Sequence, residues 1–450
     1  MVRSFVWSSA VLIAVSACFI LTTTTITAEP LSIDQAAQPA AATSQVPPEV
    51  KDAFGRFQNR DIPGALATLE KAVEAHPELP PADIIMAQFC GTSKQAGAAV
   101  RYWLEKSTVD NPGDPEAFVM LGRAALQEKR NAEAELLFAK ANQLLADFKG
   151  NEKRKESMTV ATLSQLSQLA MKRNDWKTAR ENLEALLKLR PDNAATLEML
   201  ANTLFQEEKP DEALEKLRAA AAANKDALTP EATMAVWWEK AGDRKKAGES
   251  MVEALTAKPQ DFKTRLTAAN WALQSKSFDQ ARQQADIAIK LDPTSIKAKV
   301  LAGNIALFQK DYPAAVKYFQ EVLAAEPTNF TASNNLALAL AEEGGDSNLK
   351  LALQYANINS KIYPKQPEPS STMGWVLFKM GKVAEAERAL KHAASAGRSL
   401  RPDTAFYFAS VYAETNRKEE AKKLLESALK TKGLFSEREA AQALLDKLNR

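Results

Sequence analysis

The sequence predicts an all-α fold, an α-solenoid of about eleven helix-turn-helix repeats closed by a C-terminal capping helix. The first observation behind this is a period of 34 residues: Ala179, Ala213, Ala247, Ala281 and Ala315 recur at that interval, and seven places after each stands an apolar residue, Leu186, Ala220, Ala254, Ala288 and Val322. The second is punctuation, since a proline follows four of these alanines by twelve places, at Pro191, Pro259, Pro293 and Pro327, with Lys225 where the fifth would stand. A fixed period of about 20 to 50 residues marks stacked supersecondary units. Third, no useful length of chain alternates apolar and polar residues with period two, so no sheet is expected.

Along the chain, residues 1–28 read as a signal peptide: Arg3, the apolar run FVWSSAVLIAVSACFIL, then TTTTITA with Ala28 at the cleavage position. An uncleaved anchor from Phe5 to Leu21 and a lipoprotein signal with Val15-Ser16-Ala17-Cys18 as lipobox are the alternatives. Residues 29–48, rich in Pro, Ala, Gln and Ser without an apolar period, read as a flexible linker. Residues 49–146 form an N-terminal block of three repeats, marked by Ala65 and Leu69, by Ala99 and Trp103, and by Gly122, Ala134 and Phe138. A charged insert at 147–158 then breaks the phase, because Ala134 to Ala179 is 45 residues, eleven more than one period. It is expected to extend one helix, lengthen one turn or let two blocks hinge.

Residues 159–435 are the main array. Its in-phase series is followed by a ninth repeat stretched by three residues within EEGGDSN, a tenth carrying Met373-Gly374, Ala386 and Leu390, and an eleventh carrying Ala409, Tyr412, Ala421 and Leu425. Residues 436–450 read as the capping helix, opened by a capping box of Ser436 and Glu439 and covering the last apolar face. Within each repeat, small residues at the eighth and twentieth positions let two antiparallel helices approach closely, as at Ala201 with Ala213 or Gly303 with Ala315. Each closing proline stops the second helix.

Composition narrows the function. Lys+Arg number 58 against 56 Asp+Glu, a net charge of +2, so no global field draws the chain to nucleic acid or to an anionic surface. Membrane contact is expected only through the N-terminal segment, if that is uncleaved or lipidated. Cleavage after Ala28 would leave Cys90 as the sole cysteine and no internal disulfide; a buried, inert thiol is expected. His76 and His392 lie in the first and tenth repeats, outside any HExxH or C-x2-C context, so no metal site is expected and both read as surface or helix-end residues. No phosphate-binding glycine loop or nucleophile elbow occurs, and Gly344-Gly345-Asp346 reads as a helix stop and turn. No catalytic residue and no cofactor is therefore expected; a glycan- or peptide-active hydrolase would need a catalytic set that the sequence does not supply. Among the tryptophans, Trp238 falls at an interhelical position, while Trp237 and Trp375 are candidate exposed anchors for a partner.

The recurring pattern resembles the tetratricopeptide repeat family over residues 49–435. That resemblance implies a right-handed superhelix whose first helices line a concave groove, with positions 2, 5, 9, 12 and 13 of each repeat facing a protein or extended-peptide ligand. Carried onto this chain, it places Lys263 and Asn270, then Lys297 and Asn304, at positions 2 and 9 of the seventh and eighth repeats, with Asn202 at position 9 of the fifth. Such amides and ammonium groups would suit peptide backbone and acidic groups. Glu198, Leu266 and Val300 stand where the carboxylate clamp of cytosolic chaperone cofactors has lysine, which argues against that partner class. Residues 334–390 also resemble the C-terminal end of exported bacterial tetratricopeptide proteins of exopolysaccharide and surface-protein sorting systems. There a D-T-L-G-W string is common; here Ser371 replaces the Asp and Met373 the Leu. The implied function is a non-catalytic protein-binding scaffold in the periplasm or cell envelope; the alternative is a lipid-anchored assembly factor for a secretion or export complex.

Overall fold

The computed structural model describes residues 46–92, 97–397 and 399–450. The signal-peptide expectation and all but the end of the linker fall outside them. Two compact units divide at Ala220. The N-terminal unit contains α1 (Pro48–Gln58), α2 (Ile62–Ala75), α3 (Ala82–Gly91), α4 (Gly97–Asp110), α5 (Glu116–Gln127), α6 (Asn131–Asp147), α7 (Glu152–Lys172), α8 (Trp176–Leu189), α9 (Ala194–Gln206) and most of α10 (Pro210–Ala223). The C-terminal unit contains α11 (Pro230–Ala241), α12 (Arg244–Ala257), α13 (Phe262–Gln274), α14 (Phe278–Leu291), α15 (Ile296–Phe308), α16 (Tyr312–Ala325), α17 (Phe330–Glu343), α18 (Asp346–Ile362), α19 (Pro367–Lys379), α20 (Val383–Ala396), α21 (Pro402–Glu414), α22 (Lys418–Leu429) and α23 (Arg438–Leu448). The described residues thus hold eleven helix pairs and one closing helix, with no strand. In the C-terminal unit every helix packs on its successor, and each first helix also touches the first helix of the next pair.

The helix pairs join through one recurrent turn. Residue 15 of nine repeats has a positive φ: Arg60, Lys129, Asn174, Glu208, Lys276, Lys310 and Asn416, together with Gly242 and Gly381. The next N–H then donates to a carbonyl five residues back, as from Asp311 to Ala306 and from Ser277 to Ala272, closing a Schellman C-cap. Where that next residue is Asp, its carboxylate also caps the following helix: Asp61, Asp175, Asp243 and Asp311 accept from the N–H groups of Gly64, Thr178, Lys246 and Ala314. Seven of these left-handed positions are not glycine, although that geometry costs an L-residue roughly 1–2 kcal/mol. Helix packing on both sides overrides the local preference.

Packing inside a pair follows volume. The small residue at position 8 lies opposite one 16 places later: Gly122 with Phe138, Gly303 with Phe319 and Gly374 with Leu390, and Ala53 with Leu69, Ala201 with Leu217 and Ala409 with Leu425. All the larger partners are buried. A Cβ added at Gly303 would sit 2.6 Å from the Phe319 ring, and one at Gly122 would sit 2.9 Å from the Phe138 ring. Gly303→Ala is therefore expected to destabilise the fold by about 1–3 kcal/mol through overpacking. Adding Phe319→Leu should recover part of that loss, because it restores the Ala and Leu pairing seen elsewhere; urea unfolding of the two variants checks this.

The phase break is absorbed by helix rather than loop. α6 has 17 residues against the 14 of most second helices, α7 has 21 against the 10 to 14 of the other first helices, and only residues 148–151 lie between them. The insert also carries Arg154, which is 7% exposed and reaches back to the start of α5, 2.7 Å from both Asp114 and Glu116. Burial pushes the Glu116 carboxyl above its ordinary range, opposed by the Arg154 charge. Arg154→Met would leave two carboxylates without their cation and should cost about 3–5 kcal/mol in denaturant unfolding. Arg190→Met, which removes an exposed pair with Glu156, should cost about 0–1 kcal/mol.

Candidate peptide-binding groove

The sequence-selected residues are scattered in environment. Asn202 is half-buried in the N-terminal unit. In the C-terminal unit Lys263 is exposed, but its Nζ donates to the Asp226 carbonyl and lies 3.8 Å from the Asp226 carboxylate, so part of its charge is already engaged. Lys297 is exposed and Asn270 is half-buried. Asn304 accepts a 2.8 Å hydrogen bond from Asn335 Nδ2 on the next first helix, and Asn334 Nδ2 donates to Asn335 in turn. The amide series thus runs into α17, where the sequence reading had no residue. Asn334 Oδ1 is buried with no hydrogen-bond partner among the described residues.

The tryptophans divide differently from expectation. Trp238 and Trp237 are both half-buried, and Lys246 Nζ stands 4.3 Å from the Trp238 ring centroid. Trp375, expected as a candidate exposed anchor, is buried. Its ring stacks on Tyr407 at 4.4 Å and on Phe378 at 5.4 Å, and its Nε1 donates to Glu342. The sequence position suited exposure; the neighbouring first helices supply the aromatic cover.

One feature of the C-terminal unit brings distant repeats together. The segment between α22 and α23 crosses the first-helix face instead of only covering the last pair. Leu434 packs on the cluster containing Leu273, Ala302 and Ile305, with Phe308 beside it, in the seventh and eighth repeats. Phe435 is buried in the larger cluster that includes Trp375, Phe406 and Tyr407 of the tenth and eleventh. Ser436 Oγ donates to Asp403 at 2.9 Å, and Lys310 Nζ lies 3.5 Å from Glu439. The segment after repeat eleven thus reaches at least as far back as Lys310 in repeat eight. The expected capping box is absent: Ser436 is spent on Asp403, and α23 starts at Arg438 without a side-chain cap.

The groove under this segment is acidic. Burial raises the Glu437 carboxyl above its ordinary range, and the Glu342 and Asp403 charges push it further while Lys310 opposes them. Asp403 is also raised, chiefly by burial, against its bond from Ser436 and the Arg401 charge. Tyr312 is pushed up to about 12 by burial, with Glu342 and Glu437 adding to it, and burial raises Tyr407 as well. Glu342 itself is held by Lys379 at 3.0 Å. Sequence reasoning missed Glu342, Asp403 and Tyr407, and read Ser436 and Glu439 only as a capping box, not as part of a docked 434–439 segment. The one available signal was the Leu434-Phe435 pair, too apolar for a solvated connection.

Elsewhere the chemistry is sparse. His76 sits at the C-terminal end of α2 between Glu49 and Glu78, and His392 Nδ1 is 2.9 Å from Ser370 Oγ. Cys90 is buried, and burial raises its thiol. A surface cleft of about 470 Å³ in the N-terminal unit mixes Glu184, Lys188, Glu212 and Lys216 over Leu187, Leu200 and Leu204. Among the described residues no helix is long and apolar enough to cross a membrane.

The family model of the tetratricopeptide repeat matches residues 94–146, 165–228 and 300–358. Over those segments the chain is similar to the tetratricopeptide repeat. They point to a protein-interaction scaffold, since stacked repeats of this kind present extended binding surfaces. No curated protein matches the chain. Among solved structures, a tetratricopeptide repeat protein from Parabacteroides merdae is similar at 16% identity and TM-score 0.40, over 65% of this chain and 99% of its own. Yeast Tom70 is similar at 14% identity and TM-score 0.37, over 89% and 95%. PilW, a type IV pilus biogenesis factor, is similar at 17% identity and TM-score 0.39, over 49% and 97%.

The raised carboxyls give the segment a pH dependence. A carboxyl whose value is raised on docking binds protons more tightly when docked, so its contribution is full below the ordinary carboxylate range and is lost as pH rises through the raised value. Amides of residues 434–439 should therefore exchange faster, after intrinsic correction, at about pH 8 than at about pH 5. Glu437→Gln should slow exchange at the higher pH, because it removes repulsion from Glu342 and Asp403. Hydrogen exchange with mass-spectrometric readout checks both.

Proposed function

We propose that this chain is a non-catalytic scaffold, exported to a bacterial cell envelope, which assembles other proteins on the first-helix face of its repeats. The observation that supports the reading is the continuous stack of first helices in the C-terminal unit, which offers half-buried amides and exposed lysines beside buried aromatics along one face. Such a surface suits an extended peptide, whose backbone takes the amides and whose side chains take the apolar contacts. The N-terminal segment supports export, and the resemblance of residues 334–390 supports a place in an exopolysaccharide or surface-protein sorting system. In the lipid-anchored alternative Cys18 is the attachment point.

Affinity capture from envelope extracts, comparing the native chain with Lys263→Ala plus Lys297→Ala, tests the scaffold. Partner recovery should fall several-fold and lose part of its salt dependence, because each charge-assisted contact contributes about 1.5–3 kcal/mol. Equal recovery at low salt would remove these lysines from the contact. N-terminal sequencing of the captured native chain should begin at Glu29; an acylated Cys18 would favour the anchored form, and an intact Met1 would end the cleaved-export reading.

A further inference from the structure

The inner face of the C-terminal unit is already filled by the chain itself, and the way it is filled describes a ligand. Residues 434–439 read Leu-Phe-Ser-Glu-Arg-Glu. Leu434 packs against the apolar cluster of repeats seven and eight, and Phe435 is buried in the larger cluster of repeats eight to eleven. Ser436 is read by Asp403, and Glu439 by Lys310, 129 residues away in sequence. A closing helix alone needs only the last pair for support, and α23 has that through Ala441 and its packing on α22. The contacts to repeats seven and eight lie outside that role.

We propose that the groove spanning repeats seven to eleven is a site for an extended partner segment with adjacent Leu and Phe followed by Ser and an acidic residue, and that residues 434–439 are its internal occupant, displaced when such a partner binds. This rests on the scaffold reading and gives it a partner class. The occupant is anchored at its centre by buried Phe435 and by Arg438, which donates to the Leu429 and Thr431 carbonyls, and is weakly held around that anchor. Leu434 is only half-buried, the Lys310 and Glu439 pair is exposed and screened by salt, and Glu437 is placed among the like charges of Glu342 and Asp403. An external segment with a neutral residue in place of Glu437 would keep the apolar and serine contacts without that repulsion.

The test uses the full chain and a fluorescent synthetic peptide of residues 432–439, followed by anisotropy. A site filled by its own chain most of the time binds an outside ligand with apparent affinity reduced by the open fraction. Leu434→Ser weakens the occupant where it touches repeats seven and eight, away from the last pair, and should raise peptide affinity about tenfold or more over the native chain. The same peptide with Ala-Ala for Leu-Phe should not bind either protein. Phe435→Ala should act in the same direction, and if it disturbs the eleventh repeat by circular dichroism, Leu434→Ser stands as the deciding variant. Equal affinity for native chain and Leu434→Ser, whether tight or absent, would overturn the internal-occupant proposal. The scaffold reading fails separately, if the lysine variants and the native chain recover partners equally and no partner competes with the peptide.

Discussion

The close approach of two helices within each pair is the constraint on which the rest of the structure depends. A glycine or alanine at position 8 sets the distance, and the residue 16 places on fills what is left, so Gly303 faces Phe319 while Ala201 faces Leu217. Interiors pack to crystal-like density, and neither partner can change alone without a cavity or a clash. The tight turn follows from the same constraint. Two helices this near can be joined only by a short reversal, and the chain accepts left-handed Lys276, Lys310 and Glu208 to make it. Asp residues directly after the turn then recover stability by capping the next helix.

Because the second helices spend their apolar stripes inside the pairs, the first helices are left with a face to cover. In the C-terminal unit that face carries aromatic residues on α19 and α21 and apolar ones on α13 and α15. Left open, it would expose a hydrophobic surface of the kind that marks interaction sites. The connection into α23 covers it with one leucine, one phenylalanine and a few polar contacts. The same few residues thus protect the groove and display the chemistry that it accepts.

Electrostatics in the two units serve opposite ends. In the N-terminal unit Arg154 is buried between Asp114 and Glu116 at 2.7 Å from each, so the long α7 is fastened to the preceding pair. In the C-terminal unit Glu342, Asp403 and Glu437 approach one another with only Lys310, Lys379 and Arg401 nearby, so the docked segment is held against a penalty that grows with pH.

The sequence by itself determined the helix pairs, their number and the closing helix. Those features rest on contacts within one period, and Ala179 to Ala315 write such contacts into the chain at regular spacing. It gave no sign of the hydrogen bond that Asn335 donates to Asn304. Only the tertiary structure decided that Trp375 is buried under Tyr407, that Ser436 bonds Asp403 instead of capping α23, that Arg154 of the charged insert is internal, and that Leu434 lies against the seventh and eighth repeats. Each of these depends on residues from different repeats meeting once. A contact made once leaves no period to read, and its partners are chosen by how the stack curves rather than by any spacing along the chain.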